Sequence, residues 1–154
     1  MEASPVIVRD SPIHGAGLFA TREIVAGETL APYRGERIDK AESRRRAAAR
    51  PAGAPVYTVA LDDTADIDGD VPDNPAKYAN HGCAANAALE AAGDNLVLKA
   101  LRPIAAGEEI VFDYGFGLVD SLAHPCRCGA PGCVGRIVAE PLRPLLRKNR
   151  GKRV

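Results

Sequence analysis

The 154-residue sequence has no net charge, because 20 Lys and Arg are offset by 20 Asp and Glu. Proteins that coat nucleic acid through their overall field carry a large basic excess, so direct nucleic-acid binding is not expected, although local patches are still allowed. Also missing is any apolar run near the roughly 20 residues needed to cross a bilayer. The start, Met1-Glu2-Ala3-Ser4-Pro5, lacks the basic and then apolar character of a secretory signal. These absences predict a cytoplasmic chain with no membrane partner, and leave secretion as an effector open. What is present, 46% hydrophobic and 26% charged residues, fits one globular domain that buries roughly 68–70% of its unfolded surface.

Cysteine is scarce, with four residues. In a reducing compartment such residues are metal ligands or free thiols before they are disulfides. Three cluster as Cys126-Arg-Cys128-Gly-Ala-Pro-Gly-Cys133, while Cys83 stands alone upstream.

The neutrality is a cancellation between segments. Asp62, Asp63, Asp66, Asp68, Asp70 and Asp73 share a stretch without Lys or Arg, and Arg143, Arg147, Lys148, Arg150, Lys152 and Arg153 make residues 139–154 a basic tail. The tail reads first as a solvated, mobile end.

Strand-like runs are short and punctuated by Gly and Pro: Val6–Val8, Leu18–Ala20, Thr29–Tyr33, Val56–Leu61, Leu96–Ala100 and Glu109–Phe112. Lys40–Arg50, rich in Ala and Arg, reads as one short helix stopped by Pro51. A mainly β fold of several small sheets with one or two short helices follows, and a doubly wound α/β domain is excluded for want of helical crossovers. One echo occurs: Arg22-Glu-Ile-Val-Ala-Gly-Glu-Thr-Leu returns as Arg102-Pro-Ile-Ala-Ala-Gly-Glu-Glu-Ile, and each copy runs on to a tyrosine, Tyr33 or Tyr114. The simpler account is one turn-then-strand solution used twice, with glycine supplying the turn.

Three further stretches carry chemistry. His14-Gly15-Ala16-Gly17-Leu18 lets backbone approach a ligand closely, yet lacks the third glycine and following helix of a dinucleotide site. Lys77-Tyr78-Ala-Asn80-His81-Gly82-Cys83 crowds Asn, His and Cys together, and alone it reads as caps and satisfied core groups. Glu109-Ile-Val-Phe112-Asp113-Tyr114-Gly115 ends a strand in a tyrosine.

Taken in order, Gly-x-Gly, Tyr33-x-Gly-Glu, Asn80-His-x-Cys, Glu-x-x-Phe-Asp-Tyr114-Gly and Cys-x-Cys-x4-Cys resemble the SET-domain protein-lysine methyltransferases with a post-SET zinc motif. Tyr57-Thr-Val-Ala-Leu61, Ile67-Asp68-Gly69 and Asn74-Pro-Ala-Lys-Tyr78 resemble the central strand pair leading into that family's Asn-His motif. The resemblance implies a SET domain over residues 4–115 with a variable insert near 38–55, a post-SET zinc motif over 122–138, and a C-terminal pseudoknot that ordinary topology rules would not predict.

It further implies S-adenosyl-L-methionine as methyl donor, with S-adenosyl-L-homocysteine as product. His14, Gly15, Ala16, Gly17, Leu18, Tyr78, Asn80, His81 and Tyr114 would hold the donor. A substrate lysine of a protein or peptide would enter from the opposite face along Tyr33, Tyr57 and Phe112. Tyr114, seconded by Tyr33, would orient the amine, and Cys83, Cys126, Cys128 and Cys133 would bind one structural zinc. Phe112 stands where the family's choice between Phe and Tyr resembles a product switch, which implies more than one methyl transferred. Departures are Gly82 for the usual Ser, expected to loosen the turn, Ala85 for Pro, and Lys77 for Arg. No cysteine-rich pre-SET module is expected. The alternatives from other classes are an inactive SET-like module holding basic peptides through its aspartates, and a small zinc protein binding nucleic acid through the basic tail. Arg44, Arg45 and Arg46 in the insert would favour acidic residues beside the target lysine, and the aspartates the opposite.

Overall fold

Three small sheets divide the strands among residues 3–150, the span that the computed structural model describes; Lys152 and Arg153 of the basic tail lie outside it. The first sheet orders β1 (Val6–Asp10), β2 (Ala16–Ala20), β10 (Glu109–Phe112) and β7 (Asn80–His81). The second orders β3 (Thr29–Tyr33), β9 (Asn95–Ala100) and β8 (Ala87–Ala92), and the third β4 (Glu36–Asp39), β6 (Ala65–Asp68) and β5 (Thr58–Ala60). Helix α1 spans Lys40–Ala49 and α2 spans Arg143–Arg150. The expected mainly β architecture holds, and β3 and β10 have the bounds that their apolar runs dictate.

The core lies between the first two sheets. Leu18, Leu98 and Ile110 are wholly buried there, joined by Ile24, Leu30, Leu96 and Ile104. Each strand is short, so burial of these side chains against one another, at about 25 cal/mol per Å² of apolar surface, supplies the cohesion that isolated hairpins lack.

The sequence echo has a geometric counterpart. Ile24 and Ile104 face each other in an antiparallel bridge in which each amide donates to the other's carbonyl. The Gly27 amide donates to Ala100 and the Ala100 amide to Glu28, while Gly107 donates to Ala20 and Ala20 to Glu108. The two units, β2-turn-β3 and β9-turn-β10, are thus related by a local pseudo-twofold axis. In each turn glycine adopts a left-handed φ, +83° at Gly27 and +82° at Gly107, which a side chain would strain. In each a glutamate, Glu28 or Glu108, closes the turn by accepting a backbone amide and pairing with Arg22 or Arg102.

The third sheet and α1 are held by charge. Asp39 caps α1 by accepting the Glu42 amide. No residue of α1 is buried; instead Arg46 pairs with Glu36, Glu42 and Asp68, Lys40 pairs with Asp66, and Arg45 pairs with Glu42. Arg37 lies against Asp62, Arg34 against Asp73 and Lys77 against Asp70. Read in sequence as opposed substrate surfaces, the aspartate-rich stretch is thus largely paired with cations of the chain, two of them, Lys40 and Arg46, from the insert.

The pair β7 and β10 is parallel, with Asn80 opposite Val111 and His81 opposite Phe112. The chain beyond β7 then wraps β10: Gly82 donates to the Phe112 carbonyl, the Asn86 amide donates to the Val111 carbonyl, and the Val111 amide donates to Asn86 Oδ1. This crossing of segments distant in sequence is where the expected threading is expressed. Gly82 does not loosen it. A Cβ there would stand 2.5 Å from Val111 Cγ2, so glycine is required by the bulk of Val111 rather than by backbone freedom.

The start of the C-terminal segment is not a free end. Glu140–Leu142 forms a single turn leading into α2, with Pro144 in the first helical turn, where its missing amide costs nothing. Arg143 is 4% exposed.

Candidate active site

Four sulfur atoms gather first. Cys83 follows β7, and Cys126, Cys128 and Cys133 sit in the loop after Tyr114; all four Sγ atoms lie within 4.8 Å of one another. The Cys83 and Cys126 sulfurs are 3.8 Å apart. Four thiolates around Zn²⁺ at about 2.3 Å form a tetrahedron with edges of about 3.8 Å, so the donor set fits that ion. None of the four is in a disulfide. Burial pushes the Cys126 thiol up to about 12 and the Cys83 thiol up as well, so metal binding there would have to release protons.

Beside this cluster lies a cavity of about 470 Å³, within the range of small-molecule sites. Ile13, His14, Gly15 and Ala16 form one wall, Tyr78, Asn80 and His81 the floor, and His124, Cys126 and Arg127 of the cysteine loop the roof. Gly17 and Leu18, expected beside the donor, do not line it. Gly17 is packed where a Cβ would collide with the Glu109 carboxylate and Ser11, and Leu18 is wholly buried in the core. Asn80 is also spoken for: its Nδ2 lies 3.1 Å from the His14 carbonyl, 3.2 Å from that of Ala16 and 3.0 Å from Glu109 Oε1. It holds the His14–Ala16 backbone in place as a cavity wall.

A smaller pocket of about 20 Å³ adjoins, lined by Tyr33, Phe112, Lys77 and Phe116 among others. Tyr114 lines both spaces. Its hydroxyl donates to the Ala79 carbonyl at 2.8 Å, and its amide donates to His81 Nδ1 at 3.1 Å. Burial, only partly opposed by the Asp113 carboxylate, brings His81 down to about 4, so the ring is neutral and Nδ1 is free to accept. The Tyr33 hydroxyl donates to the Tyr57 carbonyl at 2.6 Å. Burial pushes both Tyr33 and Tyr114 above the ordinary phenol value, so both stay protonated near neutral pH. Tyr57 lines the larger cavity, and Phe112 packs 4.9 Å from Tyr114, ring centre to ring centre.

Sequence reasoning grouped the four cysteines, which the structure brings together; Tyr57, Tyr78 and Tyr114 line the cavity beside them, whereas Tyr33 lines the smaller pocket. It missed Phe116 and His124, whose rings pack 5.0 Å apart at a tilt of 59° along the cavity; the signal for them was their place between Tyr114 and the first clustered cysteine. It missed Glu109, whose carboxylate accepts from both Ser11 and Asn80.

Comparison with known proteins agrees with this geometry. The chain is 36% identical over 139 residues to the yeast Saccharomyces cerevisiae protein named histone-lysine N-methyltransferase, H3 lysine-4 specific, covering 85% of this chain and 13% of that one. It is 36% identical over 129 residues to human histone-lysine N-methyltransferase 2B, covering 80% of this chain and 5% of the relative. A chain of the solved ctPRC2 structure superposes with a TM-score of 0.67 at 29% identity, covering 75% of this chain and 15% of that one. The chain therefore spans only a small part of these relatives. Residues 15–115 match the SET domain family, and with the site built at the crossing of β7 and β10, the chain belongs to it.

Proposed function

We propose that the protein is an S-adenosyl-L-methionine-dependent protein-lysine N-methyltransferase. The observation that carries this reading is the position of Tyr114, whose side chain borders both the 470 Å³ cavity and the narrow tyrosine-lined pocket. His14–Ala16, Tyr78 and His81, under the cysteine loop, would hold the methyl donor, which would supply a sulfonium methyl for in-line displacement by the amine, its thioether leaving. Charge disperses in such a transfer, so the protein acts by positioning and desolvation and needs no nucleophile of its own. The substrate lysine must arrive neutral, against a reference pKa of about 10.4, and the apolar walls Phe112, Val59 and Phe116 favour the uncharged amine. The Tyr114 and Tyr33 hydroxyls, protonated and anchored on backbone carbonyls, orient its lone pair.

The four cysteines, by their fit to Zn²⁺, would hold a structural ion that keeps His124 and Cys126 over the donor cavity. Phe112 brings no hydroxyl to the pocket, leaving room for further methyls on the product. The substrate is a protein that presents a lysine; the names of the relatives make histone H3 the first to assay. The alternative of a peptide-binding module that uses free aspartates is weakened, since Asp62, Asp66, Asp68, Asp70 and Asp73 already face cations of the chain.

Incubation with labelled S-adenosyl-L-methionine and either histone H3 or a cell lysate tests the reading. Label on protein lysine, lost in Tyr114→Phe, is expected; donor binding without transfer would sink it. Mass spectrometry of a saturated reaction should show di- or trimethyl-lysine, shifting to monomethyl in Phe112→Tyr.

A further inference from the structure

The methyltransferase reading leaves one buried charged side chain unused. Arg143 begins α2, in the segment read from sequence as a solvated tail, yet its guanidinium is enclosed and makes three separate attachments. Nη1 donates to the Cys83 carbonyl at 2.9 Å, Nε donates to the Val138 carbonyl at 3.2 Å, and Nη2 donates to Asp113 Oδ2 at 3.1 Å. The three targets belong to the segment after β7, the stretch after the cysteine loop, and the residue preceding Tyr114.

Asp113 passes this constraint on. Its Oδ2 also accepts the Glu140 amide at 2.9 Å, while its Oδ1 accepts the Gly115 amide at 2.9 Å. Gly115 has a left-handed φ of +70°, so the backbone turn that aims Tyr114 is held from one side by the Asp113 carboxylate and from the other by His81 Nδ1 on the Tyr114 amide. Asp113 is 27% exposed on its side chain. Without the cation, Oδ2 keeps the Glu140 amide alone, a weaker hold that lets the carboxylate turn toward water and away from Gly115. Lysine could not substitute, because one ammonium cannot span three acceptors set in a planar fork. On the next turn of α2, Arg147 donates to the Gly132 carbonyl at 2.8 Å, so α2 grips the cysteine loop from the same face.

We propose that Arg143 is a positioning residue for the methyl transfer: it fixes the Asp113 carboxylate, and through it the Asp113-Tyr114-Gly115 turn, and so sets the aim of the Tyr114 hydroxyl. The inference rests on the methyltransferase reading for its kinetic consequence, and on geometry alone for its structural one.

The test compares wild type, Arg143→Met, Arg143→Lys, Asp113→Asn and the double variant Arg143→Met/Asp113→Asn. Each is measured below its own melting temperature for kcat, KM, S-adenosyl-L-homocysteine affinity and zinc content. The expected result is a kcat lowered about tenfold or more in Arg143→Met and Arg143→Lys, the order of loss that misplacement of a reacting group produces. Product affinity and zinc content should stay at wild-type values. The double variant should lose no more than the worse single one, because both changes break the same connection. A lower melting temperature with wild-type kcat would reduce Arg143 to a structural strap and overturn the proposal. So would zinc loss, weakened product affinity, or losses that multiply in the double variant. Fluorotyrosine labelling gives a readout independent of turnover: the Tyr114 resonance, assigned with Tyr114→Phe, should move in Arg143→Met while that of Tyr33 stays. An inactive wild type would refute the methyltransferase reading alone, and an unmoved Tyr114 resonance would refute the role of Arg143 alone.

Discussion

The two turn-and-strand units, Arg22 to Tyr33 and Arg102 to Tyr114, begin alike and end differently. Up to the strands they share the glycine turn, the glutamate that closes it and the isoleucine on the pseudo-twofold axis. Beyond them β3 pairs with β9 at the edge of a regular sheet, and Tyr33 ends 5% exposed with its hydroxyl on a neighbouring carbonyl. In the other unit β10 lies between β2 and the two-residue β7, and Tyr114 emerges between cavity and pocket. The same local code places a tyrosine on the smaller pocket in one copy and between pocket and cavity in the other, and the difference comes from what the following residues meet.

The sharpest way to test that contrast is to remove each hydroxyl. Tyr114→Phe should lower kcat by about 10²-fold, the loss that misplacing the reacting amine by roughly 1 Å produces. Tyr33→Phe should cost roughly tenfold, the value of one ordinary hydrogen bond, and equal losses would erase the distinction. The shared axis comes next. Ile24→Ala and Ile104→Ala should each destabilise by about 2–4 kcal/mol in denaturant melts. Because the two side chains meet, the double variant should fall short of the sum. Strict additivity would mean that the two units are energetically separate.

A smaller effect is expected where the units diverge. Gly82→Ser should cost about 1–3 kcal/mol by overpacking against Val111, and Val111→Ala should recover part of it; a stabilised Gly82→Ser would restore the view that glycine only loosens this turn. The smallest concerns the turn glutamates. Arg22 holds the Glu28 carboxyl below its usual range and Arg102 does the same for Glu108. Their contribution is therefore present above the ordinary carboxylate range and fades as pH falls through the lowered folded values. Glu28→Gln and Glu108→Gln should each lower the melting temperature slightly at pH 7, by similar amounts, and converge with wild type in acid. Unequal shifts would show that the turns are not equivalent.

Much of this was legible because local chemistry and final structure agree. Thr29–Tyr33 and Glu109–Phe112 are short, largely apolar runs beside glycine turns that fold as strands, and the cysteine spacing admits few uses. Where the two disagree, the sequence was silent. Ala87–Ala92 is composed of helix formers and becomes a strand only because β9 pairs along its whole length. Ala65–Asp68 is half acidic and is drawn into a strand between β4 and β5. Arg143 looked like one more solvated cation because its partners, Cys83 and Asp113, are 60 and 30 positions away. The steric demand of Val111 on Gly82 was hidden for the same reason.

The parallel pairing of β7 with β10 also bears on how the molecule comes into being. The two-residue β7 lies at a sheet edge beside β10, so its strand pairing waits until residues 109–112 have been made and have docked. Closing so long a loop must come before its contacts give any return, and such non-local pairing is slow. The cavity floor, the Tyr114 turn and the cysteine cluster all depend on that docking, so the candidate site is among the last parts of the chain to form.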